Sequence, residues 1–557
     1  MEQQNNILSS GQQEDSSAQK NQYFQENPSV QEEYLSQKNP SSVAPEENQT
    51  NSSLLGQVRL KFNIFGGISL FFGIAFTACF YKAGVGINLF LFTIIMIGLL
   101  VLIMKRLSLP IKKATKVYYA GAALLGLSTM LTANTGLQFL NITGILLLLD
   151  RSLLHQFQED KSFDFLKHIG RVFGLLFRSI ASIGMPFADG VHFLRRTKVA
   201  KNNKALNIIL GCIIALPVLM LVIALLSSAD PLFGEITEKI FCFLFSPQIV
   251  HVILLIFFGF LACYGIICGA AKYADMGNTN QRRKEDPLIA ITAIGLLTAV
   301  YLLFCGIQII YLFSNGLFVL PTGYTFAEYA RRGFFELLAV TIINIALIVT
   351  STTLFHEHKV LKALLTVMTV CTYIMIASAA YRMMLYIDAY HLTFLRLLVL
   401  LFLFMDVFVL AGVIISVYRK KFPLFGYCVA VIASFYILFS FSRPDYRIAL
   451  YHLNHKEEIT MEDIRFLTDN LSYDAAPAVI PYLSDPKHWE QGKTEGETRE
   501  ETRISSKETE DWDWSRKDKE DYYARYCRRI LKQQADRGLR DFNYSYYRAA
   551  QTVKQYQ

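Results

Sequence analysis

Gly323-Tyr-Thr-Phe-Ala-Glu-Tyr-Ala-Arg-Arg-Gly-Phe-Phe-Glu-Leu337 is the stretch from which the rest of the chain is read. It is charged and aromatic, and apolar segments flank it on both sides. On a helix, Glu328, Arg332 and Glu336 fall on one stripe, four residues apart each time. An acid, a base and a second acid beside an apolar run of about 20 residues mark the edge of a membrane span. Composition agrees. Charged residues make up 18% of the 557, against about 25% in a soluble protein, and mean hydropathy is +0.31.

Working outward, apolar runs recur near 63–81, 87–104, 117–133, 136–149, 206–227, 249–271, 288–313, 335–354, 363–381, 392–417 and 423–441. The expected fold class is therefore an all-α, polytopic integral membrane helix bundle of about eleven spans. The third and fourth runs are short, and Thr132-Ala-Asn-Thr-Gly136 between them carries no charge, so a re-entrant hairpin is the alternative there.

Lys and Arg cluster in alternate loops: 105–116, 151–204, 272–284, 359–362 and 419–421. The positive-inside rule then makes the N-terminus cytoplasmic and the C-terminus extracytoplasmic. Although net charge is +8, the basic residues sit mostly in these loops, and no compact basic domain for nucleic acid is visible. The bilayer is the expected partner, with an envelope protein meeting the C-terminal region.

The chain divides by composition. Residues 1–58 are rich in Gln, Asn, Ser and Glu and read as a disordered cytoplasmic tail. Residues 59–161 are the N-terminal membrane helices. Residues 162–204 read as an amphipathic basic segment on the cytoplasmic surface, with Lys167, Arg171 and Arg178 on one face. Residues 205–442 are the core bundle. Residues 443–557 read as a small helical extracytoplasmic module, interrupted by a charged linker near 489–510. Within it, Thr460 and Asp463 have capping-box spacing.

Four stretches resemble one family: Ser228-Ala-Asp-Pro-Leu-Phe233, Thr325 to Leu337, Tyr386-Ile-Asp-Ala-Tyr-His-Leu-Thr-Phe-Leu-Arg396, and Arg443-Pro-Asp-Tyr-Arg-Ile-Ala449. Asp474-Ala-Ala-Pro-Ala478 and Arg540-Asp-Phe-Asn543 are similar to its ending. Together they resemble the bacterial multi-pass membrane proteins of the domain of unknown function 4173 type. The resemblance implies a membrane location and no known enzymatic activity. His391 stands where that family's pattern has glycine.

Nine residues are singled out as a charge cluster. Asp230, before Pro231, reads as a helix cap or as a cation acceptor at the outer mouth. Glu328, Arg331, Arg332 and Glu336 read as an ion-paired interfacial ramp or as a substrate site. Arg382, Asp388 and Arg396 flank a short outer loop, and a salt-bridge cluster of Arg396 with Glu336 or Asp388 would tie three spans together. Asp406, deep in its span, is the best candidate for a proton-carrying carboxylate, with hydrogen bonding to Asn344 or a backbone carbonyl as the structural alternative.

Enzyme signals are poor. No phosphate loop, dinucleotide fingerprint, zinc-protease helix or nucleophile elbow occurs. His356-Glu-His358 has no further ligands within sequence reach, so no metal is expected. The nine cysteines are scattered, mostly in or beside apolar runs, with no CxxC. The expectation is a cofactor-free, non-enzymatic sensing or scaffolding protein, with a secondary transporter using intramembrane Arg, Glu and Asp as the alternative.

Overall fold

A computed structural model describes residues 53–157, 165–196, 204–244, 247–275, 284–313, 334–419, 421–456, 459–485 and 516–556. Leu54–Leu60 (α1) belongs to an N-terminal unit of its own. The unit that carries the apolar helices runs from Lys61 to Gln557.

Its helices are α2 (Phe62–Phe80), α3 (Ile87–Arg106), α4 (Lys113–Leu131), α5 (Thr135–Phe157), α6 (Phe165–Ala181), α7 (Met185–Arg196), α8 (Lys204–Ala229), α9 (Pro231–Leu244) and α10 (Pro247–Asp275). They continue with α11 (Pro287–Phe313), α12 (Phe334–Leu354), α13 (Lys359–Tyr390), α14 (Phe394–Tyr418) and α15 (Leu424–Phe441). The last five are α16 (Pro444–His455), α17 (Met461–Arg465), α18 (Ala476–Ser484), α19 (Arg516–Ala535) and α20 (Tyr544–Tyr556). No strand occurs among the described residues, only one isolated bridge between Glu285 and Phe355. Hydrocarbon supplies no hydrogen bonds, so a helix, which pairs its own backbone, is what each apolar run forms.

Nine described helices are long and apolar enough to cross a membrane: α2, α3, α5 and α10 to α15. That is two fewer than the eleven expected. The other two expected runs are the helices α4 and α8. α4 is weakly apolar because Lys113, Lys116, Tyr118, Tyr119, Ser128 and Thr129 interrupt it. Its 19 residues nonetheless reach about 28 Å at 1.5 Å per residue. Lys112, just before α4, donates from Nζ to the His155 carbonyl at 2.6 Å, near the far end of α5. α4 and α5 thus run side by side from their joint near Asn134 to Lys112 and His155.

The segment expected on the surface, 162–204, contains α6 and α7. α6 and α7 together pass the same apolar test, with a bend of 56° between them. The Arg178 guanidinium lies 5.3 Å from the centre of the Tyr273 ring. Ile169, Phe173, Leu176, Phe177 and Ile180 of α6 are exposed. The apolar face is thus turned outward, while at least one of its cations faces α10.

Two groups of helices pack side by side. In the first, α2 crosses α10 so closely that a Cβ on Gly73 would lie 2.3 Å from the Ile256 carbonyl oxygen. In the second, α11 to α15 pack in sequence order or one apart. α15 joins the groups by packing against α4 and α5. Residues after 443 gather around shared apolar side chains from α16 to α20, including Ile448, Leu467, Val479, Tyr526, Ile530 and Val553.

Candidate functional site

One side of α13 carries polar residues that bond to its neighbours in the second group. Arg382, Ser378, Met375 and Thr372 follow one another at helical spacing on the side that meets α11 and α12. Arg382 is buried and donates to Gln308 Oε1 of α11 at 3.3 Å. Ser378 Oγ donates to the same oxygen at 2.7 Å. Arg382 lines a cavity of about 290 Å³ with Glu336, Tyr301 and Phe304. Glu336 is exposed, in the first turn of α12. Two of the nine singled-out residues thus share a cavity.

About 15 Å further along α13, Thr372 Oγ1 accepts from Asn344 Nδ2 of α12 at 3.0 Å. One residue on, the Tyr373 hydroxyl donates to the Val407 carbonyl of α14 at 2.9 Å. These two bonds set Asn344, Thr372 and Asp406 at one height. The layer falls where two apolar clusters meet, one around Met368 and Val413 and the other around Met375 and Leu403. Asp406 is 5% exposed and its Oδ2 has no hydrogen-bond partner. Asn344 Oδ1 also lacks one. The alternative of a hydrogen bond between Asp406 and Asn344 is not formed.

Arg396 does not join an ion-pair cluster. Its Nη1 donates to the Tyr390 carbonyl at 2.6 Å and to the His391 carbonyl, and its guanidinium lies 4.2 Å from the centre of the Tyr386 ring. It caps the C-terminal end of α13, where a cation meets the negative end of the helix dipole. Asp388 is exposed, and no described carboxylate pairs with Arg396. Asp230 accepts from the backbone N–H of Leu232 at 2.8 Å, the geometry of a cap on α9. Glu328, Arg331 and Arg332 lie outside the described residues.

The densest polar cluster was singled out only in part. It ties the C-terminal helices to the ends of the membrane helices. Asp474 accepts from Thr132 Oγ1 at 2.5 Å, from the Ala133 backbone N–H at 2.9 Å, and from Ser545 Oγ. Asp445 accepts from Asn134 Nδ2 at 2.9 Å and from the Ser472 N–H at 3.0 Å. Asn543 Nδ2 donates to the Thr132 carbonyl at 2.8 Å. The uncharged α4–α5 joint therefore receives three side chains from beyond residue 443.

A second joint, α2–α3, meets the same region. Backbone N–H groups of Ile87 and Asn88 donate to the carbonyls of Phe542 and Arg540 at 2.8 and 3.1 Å. A Cβ on Gly86 would lie 2.4 Å from the Phe542 carbonyl oxygen, so only glycine fits there. Arg537 stacks 3.8 Å over Tyr546 and donates to the Val85 carbonyl at 3.2 Å.

The α13–α14 joint is the third contact. His391 has a φ of 69°, a region that favours glycine, which explains the glycine of the resembled pattern. Its ring lies 4.9 Å from that of His452 of α16. His452 is buried, shares a 3.3 Å hydrogen bond with the Leu392 carbonyl, and leaves Nδ1 unpartnered. Burial, reinforced by Lys456, holds both imidazoles below their usual pKa. Burial tends to raise Asp463, but hydrogen bonds from Lys456 and Thr460 outweigh it and hold the carboxyl low. Burial pushes Asp474 up, against its three donors. Thr460 and Asp463 form the expected capping box.

Among the described residues no group of His, Cys, Asp and Glu could hold a metal. Residues 119–482 match the family described as Domain of unknown function (DUF4153). The chain belongs to the DUF4153 family. The family matched is thus not the 4173 type to which the stretches were likened, though it too is one of unknown function. No curated protein and no solved structure matches the chain. The DUF4153 match takes in the α12–α14 polar layer and both Asp445 and Asp474. Gly86 and Arg537 to Asn543, which meet one another, lie outside it.

Proposed function

We propose that this DUF4153 protein is a non-enzymatic sensing or scaffolding component of the bacterial cell envelope. Its C-terminal helices would meet an envelope protein and pass the contact into the membrane bundle. The observation that carries this reading is the seating of residues after 443 on three helix joints at once, through Phe542, Asp474 and His452. A partner that shifts these helices would move the ends of α2–α3, α4–α5 and α13–α14 together. The Lys- and Arg-rich loops 105–116 and 419–421 lie at the other end of those helices, which supports an extracytoplasmic C-terminal region and a cytoplasmic N-terminus.

Transport is the second reading, and one observation favours it. A buried carboxyl with no partner, such as Asp406, is costly unless a proton or cation accompanies it. Against transport, the cavity that Glu336 lines beside Arg382 takes in neither Arg396 nor Asp406. Crosslinking in intact cells separates the readings. Capture of an envelope protein by the full chain, lost on removal of 443–557 while the bundle stays in the membrane, supports sensing. Unchanged capture contradicts it. Proton-coupled uptake into vesicles that Asp406→Asn abolishes would establish transport instead.

A further inference from the structure

The end of the bundle away from the C-terminal helices has a built cavity of about 230 Å³. Its rim is made by the segment before α11, the α12–α13 turn and the end of α14. Backbone bonds hold the rim in shape: Glu285 N–H donates to the Leu354 carbonyl at 2.8 Å, and His356 N–H to the Glu285 carbonyl at 3.1 Å. Its floor is apolar, with Val349, Leu365 and Val417.

Three cations line it: Lys284, Lys362 and Arg419. Lys362 is held by Glu357 at 3.0 Å. Neither Lys284 nor Arg419 makes a side-chain bond or ion pair among the described residues. Ser351, only 5% exposed, lines the same cavity with a hydroxyl that bonds to nothing described. The first turn of α13 opens on the same end, adding the positive end of its dipole. Three cations against one carboxylate leave an excess of two positive charges. A phosphate monoester carries about −1.5 to −2.

We propose that this cavity binds a phosphate-bearing anion, with Arg419 and Lys284 on the phosphate oxygens and Ser351 donating from below. Arg suits this because its planar fork meets two oxygens at once. The volume lies below the roughly 300–1,000 Å³ of sites for drug-sized ligands. It therefore takes a head group, with any acyl chain left outside. The inference is independent of the reading given above, since it concerns the opposite end of the helices.

Two probes distinguish the source of the phosphate. The full chain in detergent is titrated with inorganic phosphate. The full chain in nanodiscs of phosphatidylcholine, with or without phosphatidic acid, is followed by native mass spectrometry. Saturable binding of either probe, weakened roughly tenfold or more by Lys284→Gln/Arg419→Gln, supports the site and tells free phosphate from lipid. Both substitutions are at exposed positions, and an unchanged melting temperature without ligand confirms that the variant folds. Binding of neither probe by the folded wild type, or equal binding by the double variant, overturns the proposal.

Discussion

Asp474 and Asp406 are both aspartates buried to within a few per cent of complete, and the chain treats them in opposite ways. Asp474 sits where the C-terminal helices meet the α4–α5 joint, with three donors pointed at it. Asp406 sits at mid-height between α12, α13 and α14, with an oxygen that nothing meets. The difference separates a structural carboxylate from one whose cost the fold does not offset. A satisfied polar group stabilises its junction, while an unsatisfied one costs about 1–3 kcal/mol and persists only if something else retains it.

The largest expected effect is at the satisfied site. Asp474→Leu removes the acceptor of two hydroxyls and a backbone N–H, and should cost roughly 3 kcal/mol. Unfolding of the purified chain in detergent would report it, and a loss within error of zero would mean that the junction is not a folding unit. Asp406→Leu is expected to do the reverse. It removes an unmatched carboxyl from an apolar surrounding, so stability should hold or rise by about 1 kcal/mol. A loss comparable to that of Asp474→Leu would show that Asp406 has partners in the membrane and erase the contrast.

A smaller effect follows from pH. The folded-state pKa of His391 and His452 is lowered, burial being the main cause, with Lys456 and Arg396 pressing on His391, and Lys456 and the other imidazole on His452. The hydrogen bond with the Leu392 carbonyl opposes the shift in His452, and Asp463 opposes it in both. Below the unfolded imidazole value of about 6.5, the unfolded chain binds protons that the folded chain refuses. Stability is therefore full above that value and declines as pH falls toward the lowered folded values. Hydrogen-exchange protection across 444–471, taken relative to the intrinsic rate at each pH, should fall as pH drops below about 6.5, and His452→Gln should flatten the trend. A slope of the same size in the variant would place the titration elsewhere.

Much of the fold was legible because hydrocarbon leaves a residue pattern that is hard to miss. Apolar runs predicted the position of every helix from α2 to α5 and from α10 to α15. α4 and α6 were hard to read for opposite reasons. α4 spends its length on Tyr, Ser and Thr that face neighbouring helices, so its apolar signal is weak although it is 19 residues long. α6 presents cations and exposed phenylalanines together, and sequence alone could not say which face meets α10.

The charge cluster was harder to read. Charged residues draw the eye, yet Arg396 spends its charge on carbonyls of α13, and Asp230 on the amides of α9. The densest network uses neutral donors, Thr132, Asn134 and Asn543, which a search for ion pairs passes over. The signal was present in two quoted stretches, Asp474 to Ala478 and Arg540 to Asn543. What they meet lies more than 300 residues earlier in the chain, and no local spacing encodes that.

The most direct test is amide hydrogen exchange on the full chain in nanodiscs, read at Ile87, Asn88 and Ala133 and compared with Asp474→Leu. The account predicts strong protection at all three in the wild type, because their N–H groups donate to Phe542, Arg540 and Asp474. It also predicts clear loss of protection at Ala133 in the variant. Exchange at the rate of an open loop in the wild type would mean that the C-terminal helices do not close this end of the bundle.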